Sequence, residues 1–316
     1  MTGLTIGLDV GGTKCLGVVL TPDDVTVAET RVATPEGIPA LIETVVAVVD
    51  ELVEVAGPID AVGLGVAGQL DLDGVLRFAP NLVGADEFPI RDMLEGKFGM
   101  PLRIDNDANC ALVAELHHGA VVGARDAAMV NIGTGIGSAV IIDGRLYRGA
   151  NGMAGEWGHT TVQPDGADCA CGRRGCWEAY ASGAGLVHLA REMMHSGDGR
   201  GIVQLAGGDP DNVRGEHVTR AARMGDHEAL AVLDHFARWL AIGIANITAA
   251  LDPEAVVIGG GVVVEADLFI EPVRSHYGRR VLAAGHRPEL RIVAAALGER
   301  AAALGAAILG RDTVAA

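Results

Sequence analysis

Residues 4–20 read Leu4-Thr5-Ile6-Gly7-Leu8-Asp9-Val10-Gly11-Gly12-Thr13-Lys14-Cys15-Leu16-Gly17-Val18-Val19-Leu20. The apolar run Leu4 to Val10 ends at Gly11-Gly12, a second run spans Cys15 to Leu20, and a third spans Val25 to Ala33. Strand, turn, strand, turn, strand is the pattern of a β-meander. The same grammar returns later: Ala127 to Ile132 reads as a strand, Gly133-Thr134-Gly135-Ile136-Gly137 as a turn, and Ser138 to Ile142 as a strand closed by Asp143-Gly144. Two units on one plan are expected.

The intervening segments fix the class as α/β. A helix with apolar spacing is expected from about Ile38 to Val55, a buried strand from Ala61 to Val66 ending at Gly68, and Pro101 to Ile104 leading into a helix through His118. Gly149 to Gly183 is rich in Gly and Cys with little periodicity. Helices then dominate through Ala250, the longest from His227 to Ala250. The strand Ala255 to Ile258, the turn Gly259-Gly260-Gly261 and a helix from about Arg300 to Leu309 complete the pattern. A domain per ~150 residues gives two domains for 316 residues. The expected division is 1–118, joined by the C-terminal helix at about 300–316, and 119–299, with a hinge near Gly119 to Asp126.

Composition narrows the function classes. Apolar residues make up 49% and charged residues 21% of the chain, the balance of a globular protein with a core. Gly is high at 45 residues and aromatics are only 3%, which favours tight turns around something small and charged over stacking surfaces. Charge runs 24 − 41 = −17, a field that repels nucleic acid and anionic membranes. No stretch reads as a run of ~18 apolar residues, and Asp9 stands where a signal peptide would be apolar. A cytosolic protein without nucleic-acid or membrane partners is the expectation. Five cysteines are too few and too odd in number for a disulfide framework.

Glycine at a strand end lets backbone N–H groups converge on an anion. Three such ends occur: Asp9-Val10-Gly11-Gly12-Thr13-Lys14, Gly133 to Gly137 with the hydroxyls of Thr134 and Ser138, and Gly259 to Gly261. Each is also compatible with a plain hairpin. The first is no P-loop, because Thr13-Lys14 inverts the Lys-Ser/Thr order and a strand follows. The third lacks the last glycine of a dinucleotide fingerprint, which argues against an NAD-linked dehydrogenase. Together the three resemble two phosphate hairpins and a nucleoside-contacting turn.

Asp105-Asn106-Asp107-Ala108-Asn109 stands where a strand gives way to a helix. It reads as a helix cap or as a carboxylate that accepts a hydroxyl proton during phosphoryl transfer. His159 with Cys169, Cys171 and Cys176 has the composition of a closed structural zinc site. Glu156 and Glu178 flank it, as solvated surface acids or as fixed acceptors for sugar hydroxyls. His159 has two ring nitrogens, one for zinc and one to donate to a sugar oxygen.

Asp9-x-Gly11-Gly12-Thr13-Lys14, Asn106-Asp107-Ala108-Asn109, Glu156-x-Gly158-His159 and Cys169-x-Cys171-Gly172-x-x-Gly175-Cys176-x-Glu178 resemble the ROK family of bacterial sugar kinases and repressors, most closely its ATP-dependent glucokinases. The resemblance implies an actin-like ATPase (ribonuclease H-like) fold with two domains around a central cleft. It implies Asp107 as general base and Asn81, Asn106, Asp107, Glu156, His159 and Glu178 as ligands of glucose or a related hexose. It further implies Asp9 orienting Mg²⁺ through water, with Gly11, Gly12, Thr13, Lys14, Gly133, Thr134 and Gly135 on the phosphates of ATP and Gly259, Gly260 and Gly261 at the nucleoside. His159, Cys169, Cys171 and Cys176 would hold structural Zn²⁺, and a homodimer or homotetramer is expected. After Asn81-Leu82 the chain has Val83-Gly84-Ala85 where many glucokinases of the family have Trp, which leaves fructose, mannose and N-acetylhexosamines as alternative substrates. A sugar-sensing repressor, the family's other branch, which carries an N-terminal helix-turn-helix domain, is opposed as an expectation by the retained Asp107, the negative charge and a first hairpin that begins within the first dozen residues.

Overall fold

The structure is a computed structural model that describes residues 3–79, 84, 87–195 and 197–315. Strands β1 (Thr5–Val10), β2 (Lys14–Leu20) and β3 (Thr26–Ala33) form the expected meander, followed by helix α1 (Ile38–Ala56). Next come β4 (Ala61–Val66), the small pair β5 (Gln69–Leu70) and β6 (Leu76–Phe78), α2 (Ile90–Phe98), β7 (Leu102–Asn106) and α3 (Asp107–His118). The second series is β8 (Ala127–Ile132), β9 (Ile136–Ile142) and β10 (Arg145–Leu146). Helices α4 (Glu178–Ala181), α5 (Gly183–His195), α6 (Arg200–Leu205), α7 (Gly215–Arg223) and α8 (His227–Leu251) follow, then β11 (Ala255–Gly259), α9 (Ala266–Gly278), β12 (Arg291–Ala294) and α10 (Ala301–Ala315).

The two five-stranded sheets share one order. The first is β3-β2-β1-β4-β7 and the second β10-β9-β8-β11-β12, in each case third, second, first, fourth, fifth by sequence. In the first, β1 is antiparallel to β2 and parallel to β4; in the second, β11 is parallel to both β8 and β12. One unit of ribonuclease H-like order, used twice, is what an actin-like chain has to show. By internal contacts the chain forms two compact units: Met1–Arg125 with Ala139–Gly155 and Ala296–Ala316, and Asp126–Ser138 with Glu156–Ala295.

In the first unit the two faces of the sheet are packed by different means. Ile6, Leu8 and Val10 meet the apolar stripe Leu41, Val45, Val48 and Leu52 of α1, side chains each worth about 1.5–3 kcal/mol on full burial. The opposite face carries glycines so that α10 can lie on bare backbone: a Cβ at Gly7 would stand 2.0 Å from the Ala303 carbonyl oxygen, and one at Gly63 1.7 Å from that of Ala306. Contact by glycine and alanine explains how a core forms with so few aromatics.

In the second unit α8 is the central helix, with Val232, Phe236, Leu240 and Ile244 in the core. Its 25 residues have a mean hydropathy of 1.3 over their most apolar window, enough by length and composition to cross a membrane. Asp234 and Arg238 interrupt it, so it is no unbroken apolar run, and the buried stripe gives its apolar residues a core to fill. Trp177 packs flat on Gly243 of α8, where a Cβ would fall 2.0 Å from its ring, and its Nε1 donates to the Trp239 carbonyl at 2.7 Å.

Other boundaries differ from the sequence expectation for local reasons. Strand β9 starts at Ile136 because that side chain is buried, which narrows the glycine turn to three residues. The closing helix extends to Ala315. Helix α9 carries Pro272 inside it, which masks its helical pattern.

Candidate active site

The first unit gathers carboxylates. The tip of the β1–β2 hairpin is closed by Gly11 N–H donating to the Lys14 carbonyl at 3.0 Å, and braced by Thr34, whose hydroxyl donates to the Gly11 carbonyl at 2.7 Å. Gly12 and Thr13 are exposed at the tip. Lys14 Nζ pairs with Glu299 at 2.7 Å, and Arg31 joins the same carboxylate at 3.1 Å. A phosphate arriving at Lys14 would exchange one anion for another. Asp9, half-buried at the end of β1, is pushed up to about 7 by burial and by the charges of Asp107 and Glu299, against the pull of Lys14.

Asp107 opens α3 because Asn106 caps it: the Asn106 side chain accepts from the N–H groups of Ala108 at 2.9 Å and Asn109 at 3.2 Å. Asn106 Nδ2 in turn donates to the Gly68 carbonyl at 3.1 Å. Asp107 Oδ1 accepts from Ala108 N–H at 2.9 Å. Burial pushes the Asp107 carboxyl above the ordinary range, and the hydrogen bonds from Ala108 and Asn106 offset part of that rise. The cap and the candidate base are therefore adjacent residues, and the capping reading of the motif holds at Asn106.

The second unit gathers the metal ligands and the second glycine turn. His159 ends the short helical turn Trp157–His159. The loop after it folds back on itself through Val162 N–H to the Gly175 carbonyl at 2.8 Å, Gly175 N–H to Ala167 at 2.8 Å and Trp177 N–H to Thr160 at 2.9 Å. Gly175 has φ +71°, and a Cβ there would meet the Gln163 carbonyl at 1.7 Å, so only glycine closes this loop. The result brings one donor atom from each of His159, Cys169, Cys171 and Cys176 within 4.8 Å of one another. The histidine faces the cysteines with Nδ1, 3.7 Å from Cys169 Sγ. Burial pushes the Cys169 and Cys176 thiols up. At Cys171 hydrogen bonds from Arg173 and the two neighbouring cysteines outweigh burial and bring the thiol down to about 6. Three soft sulfurs and an imidazole so placed fit a tetrahedral zinc site with no open position.

Glu178 links this loop to the turn. Its Oε1 lies 3.4 Å from Cys169 Sγ, and its Oε2 accepts Ile136 N–H at 2.8 Å. A Cβ at Gly135 would fall 2.1 Å from that same Oε2, so Gly135 is glycine because a carboxylate rests on it. Gly133 and Thr134 remain exposed at the tip, and Gly183 N–H donates to the Gly133 carbonyl at 2.9 Å. Glu156 is half-buried, its carbonyl accepting His159 N–H at 3.1 Å, while the next residue, Trp157, donates its N–H to Ser138 Oγ at 3.1 Å. In the third turn, Gly259 and Gly260 also have packing reasons, against Met129 and the Ile132 backbone, whereas Gly261 faces open space. Asn81 lies outside the described residues.

Sequence reasoning passed over two residues of the first unit. Asp105 lies within the quoted motif, yet its bonding to Arg148 joins positions 43 apart and has no local signal. Glu115, fully buried, accepts the N–H groups of Ala120 at 2.7 Å, Ala296 at 2.9 Å and Leu297 at 2.9 Å.

The chain is similar to known proteins over nearly its whole length. A glucokinase of Streptomyces coelicolor is 38% identical over 313 residues, covering 98% of each chain. The crystal structure of a ROK family glucokinase from Streptomyces griseus, in complex with glucose and AMPPNP, superposes with a TM-score of 0.87 at 37% identity, covering 98% of this chain and 100% of that one. A ROK hexokinase from Thermus thermophilus gives 0.84 at 34% identity, with 99% of both chains covered. The ROK family pattern matches residues 5–313. A doubled sheet order, a capped Asp107 and a Cys₃His loop beside Glu178 thus occur in a chain that belongs to the ROK family.

Proposed function

We propose that this protein is an ATP-dependent glucokinase, transferring the γ-phosphoryl group to the 6-hydroxyl of glucose. The observation that carries the reading is Asp107, a carboxylate lifted by burial and fixed at a capped helix start, in a chain 37% identical to a glucokinase solved with glucose and AMPPNP. Oδ1 of Asp107 accepts Ala108 N–H, which orients the carboxylate that takes the sugar hydroxyl on this reading. As the 6-oxygen forms its bond to the γ-phosphorus, the bond to the β,γ-bridging oxygen breaks, ADP departs and the hydroxyl proton passes to Asp107. Asn106, Glu156, Glu178 and the Nε2 side of His159 bind sugar hydroxyls on this reading, with Asn81 as a further ligand.

Gly11, Gly12, Thr13, Lys14, Gly133 and Thr134 take the phosphates, and Gly261 the nucleoside. Asp9 fits a hard cation: burial first, then the charges of Asp107 and Glu299, push its carboxyl up, and a cation beside it would oppose both. Mg²⁺ bound with the nucleotide would neutralise phosphate charge, with Asp9 orienting it through water. His159, Cys169, Cys171 and Cys176 would hold Zn²⁺, which would fix the loop carrying Glu156 and Glu178. Coupled-assay rates over glucose, mannose, fructose and N-acetylated hexosamines, with ATP and with polyphosphate, test the assignment. Glucose with ATP is expected to lead by more than about tenfold in kcat/KM, a discrimination of one or two pocket contacts. Comparable rates on several sugars would reduce the reading to a hexokinase without preference.

A further inference from the structure

Asp105 is only 5% exposed and stands two residues before Asp107. A carboxylate so buried has to be paired and bonded to be tolerated. Its Oδ1 accepts the Asn106 backbone N–H at 3.0 Å and Asn109 Nδ2 at 2.8 Å, so it grips the turn carrying Asp107 from both sides. Its Oδ2 accepts Arg148 Nε and Nη2, both at 2.7 Å, with Arg103 farther off at 3.9 Å. Arg148 follows β10, and its carbonyl accepts Ala154 N–H at 3.0 Å, closing the loop that leads to Glu156. Among the charges felt at buried Cys110, Asp105, Asp107 and Asp9 are opposed by Arg148.

We propose that Arg148 is a positioning residue for phosphoryl transfer: by clamping Asp105 it holds the first turn of α3 so that the Asp107 carboxylate meets the attacking hydroxyl. The proposal rests on the kinase reading with Asp107 as base. Arg148 acts only through Asp105. Two parallel N–H donors on one oxygen set an orientation that an ammonium cannot, so lysine is a partial substitute. Loss of the guanidinium leaves a buried carboxylate without its counter-charge, next to the turn it is meant to order.

Four variants test this: Arg148→Met, Arg148→Lys, Asp105→Asn and the double variant. R148M is expected to lower kcat about a hundredfold, the cost of a displacement of about an ångström at the reacting groups, with KM for ATP little changed. R148K falls between. The double variant, with no uncompensated charge, recovers about tenfold over R148M, the sign of coupling between contacting residues. A merely structural role would lower the melting temperature and the active fraction without changing kcat per folded enzyme. Hydrogen exchange supplies a readout independent of activity: amides of residues 108–110 exchange faster in R148M while those of β1 do not. Wild-type kcat in R148M, or unchanged exchange at 108–110, overturns the proposal. If wild-type enzyme phosphorylates no hexose, the kinase reading falls and the catalytic part of the proposal with it. The exchange data then decide whether Arg148 orders the turn at all.

Discussion

Strands β1 and β8 open the two units and are alike in length and burial: four buried residues, one half-buried, one buried. The half-buried position is Asp9 in the first and Asn131 in the second. One frame thus presents a side chain at the same place twice, charged once and neutral once. The difference extends to what surrounds each hairpin. In the first unit Asp9, Asp105 and Asp107 collect around the end of the sheet, with Arg148 on Asp105 and Lys14 on Glu299. In the second, the hairpin rests on the Glu178 carboxylate, which is bonded to Ile136 N–H beside a cysteine loop. Duplicated topology decides where side chains emerge; residue type decides that one unit gathers carboxylates and the other a cysteine loop.

The sharpest way to break this contrast is to neutralise the base. Asp107→Asn should lower kcat by about 10³-fold, within the span attributed to a positioned general base, while glucose affinity measured calorimetrically changes little. Near-normal kcat would remove proton handling from the first unit. The matching test in the second unit is Cys176→Ser. Cys176 is fully buried beside Trp177 and Glu178, so losing it should release about one zinc per chain and lower stability by about 4 kcal/mol or more, the scale of a lost metal site. Hydrogen exchange should rise in residues 157–178 and stay protected in β1 and β4. A variant that keeps its zinc, or spreads its exchange through both units, would show that the loop is no local staple.

Much of the contrast is legible from local pattern, and what escapes is long-range. The meanders at 4–33 and 127–142 announce themselves because strand alternation and glycine turns act within a few residues. The Cys₃His set is legible because thiols at short spacing have few other uses in such a loop. Gly135 reads equally well as a phosphate cradle, and its second reason, the Glu178 carboxylate resting on it, depends on a partner more than forty residues away. Gly7 and Gly63 give no sign in sequence that α10 will lie on them. Arg148 carries no local signal, because its partner Asp105 lies 43 residues away. Periodicity reports which face is apolar, and says nothing of which polar atom will need a partner.

Glu115 extends the comparison to the places where the chain leaves and re-enters the first unit. That unit ends its first segment at Arg125 and begins its last at Ala296. The Glu115 carboxylate receives Ala120 N–H on one side of this break and Ala296 and Leu297 N–H on the other. Gly119 lets it in, since a Cβ there would stand 2.0 Å from Oε2. Three backbone donors satisfy the charge. In Glu115→Gln one oxygen becomes an NH₂ group, which cannot accept, so a backbone N–H faces another donor. The expected loss is about 1–3 kcal/mol, the cost of a buried donor left unpaired, read as a lower urea midpoint with unchanged slope. Because Glu115 stands two turns along α3 from Asp107, kcat of the folded variant should stay near wild type. A large loss of kcat instead would mean that the carboxylate binding both segments also orders the base, and the first unit would have two positioning residues where the contrast assigns one.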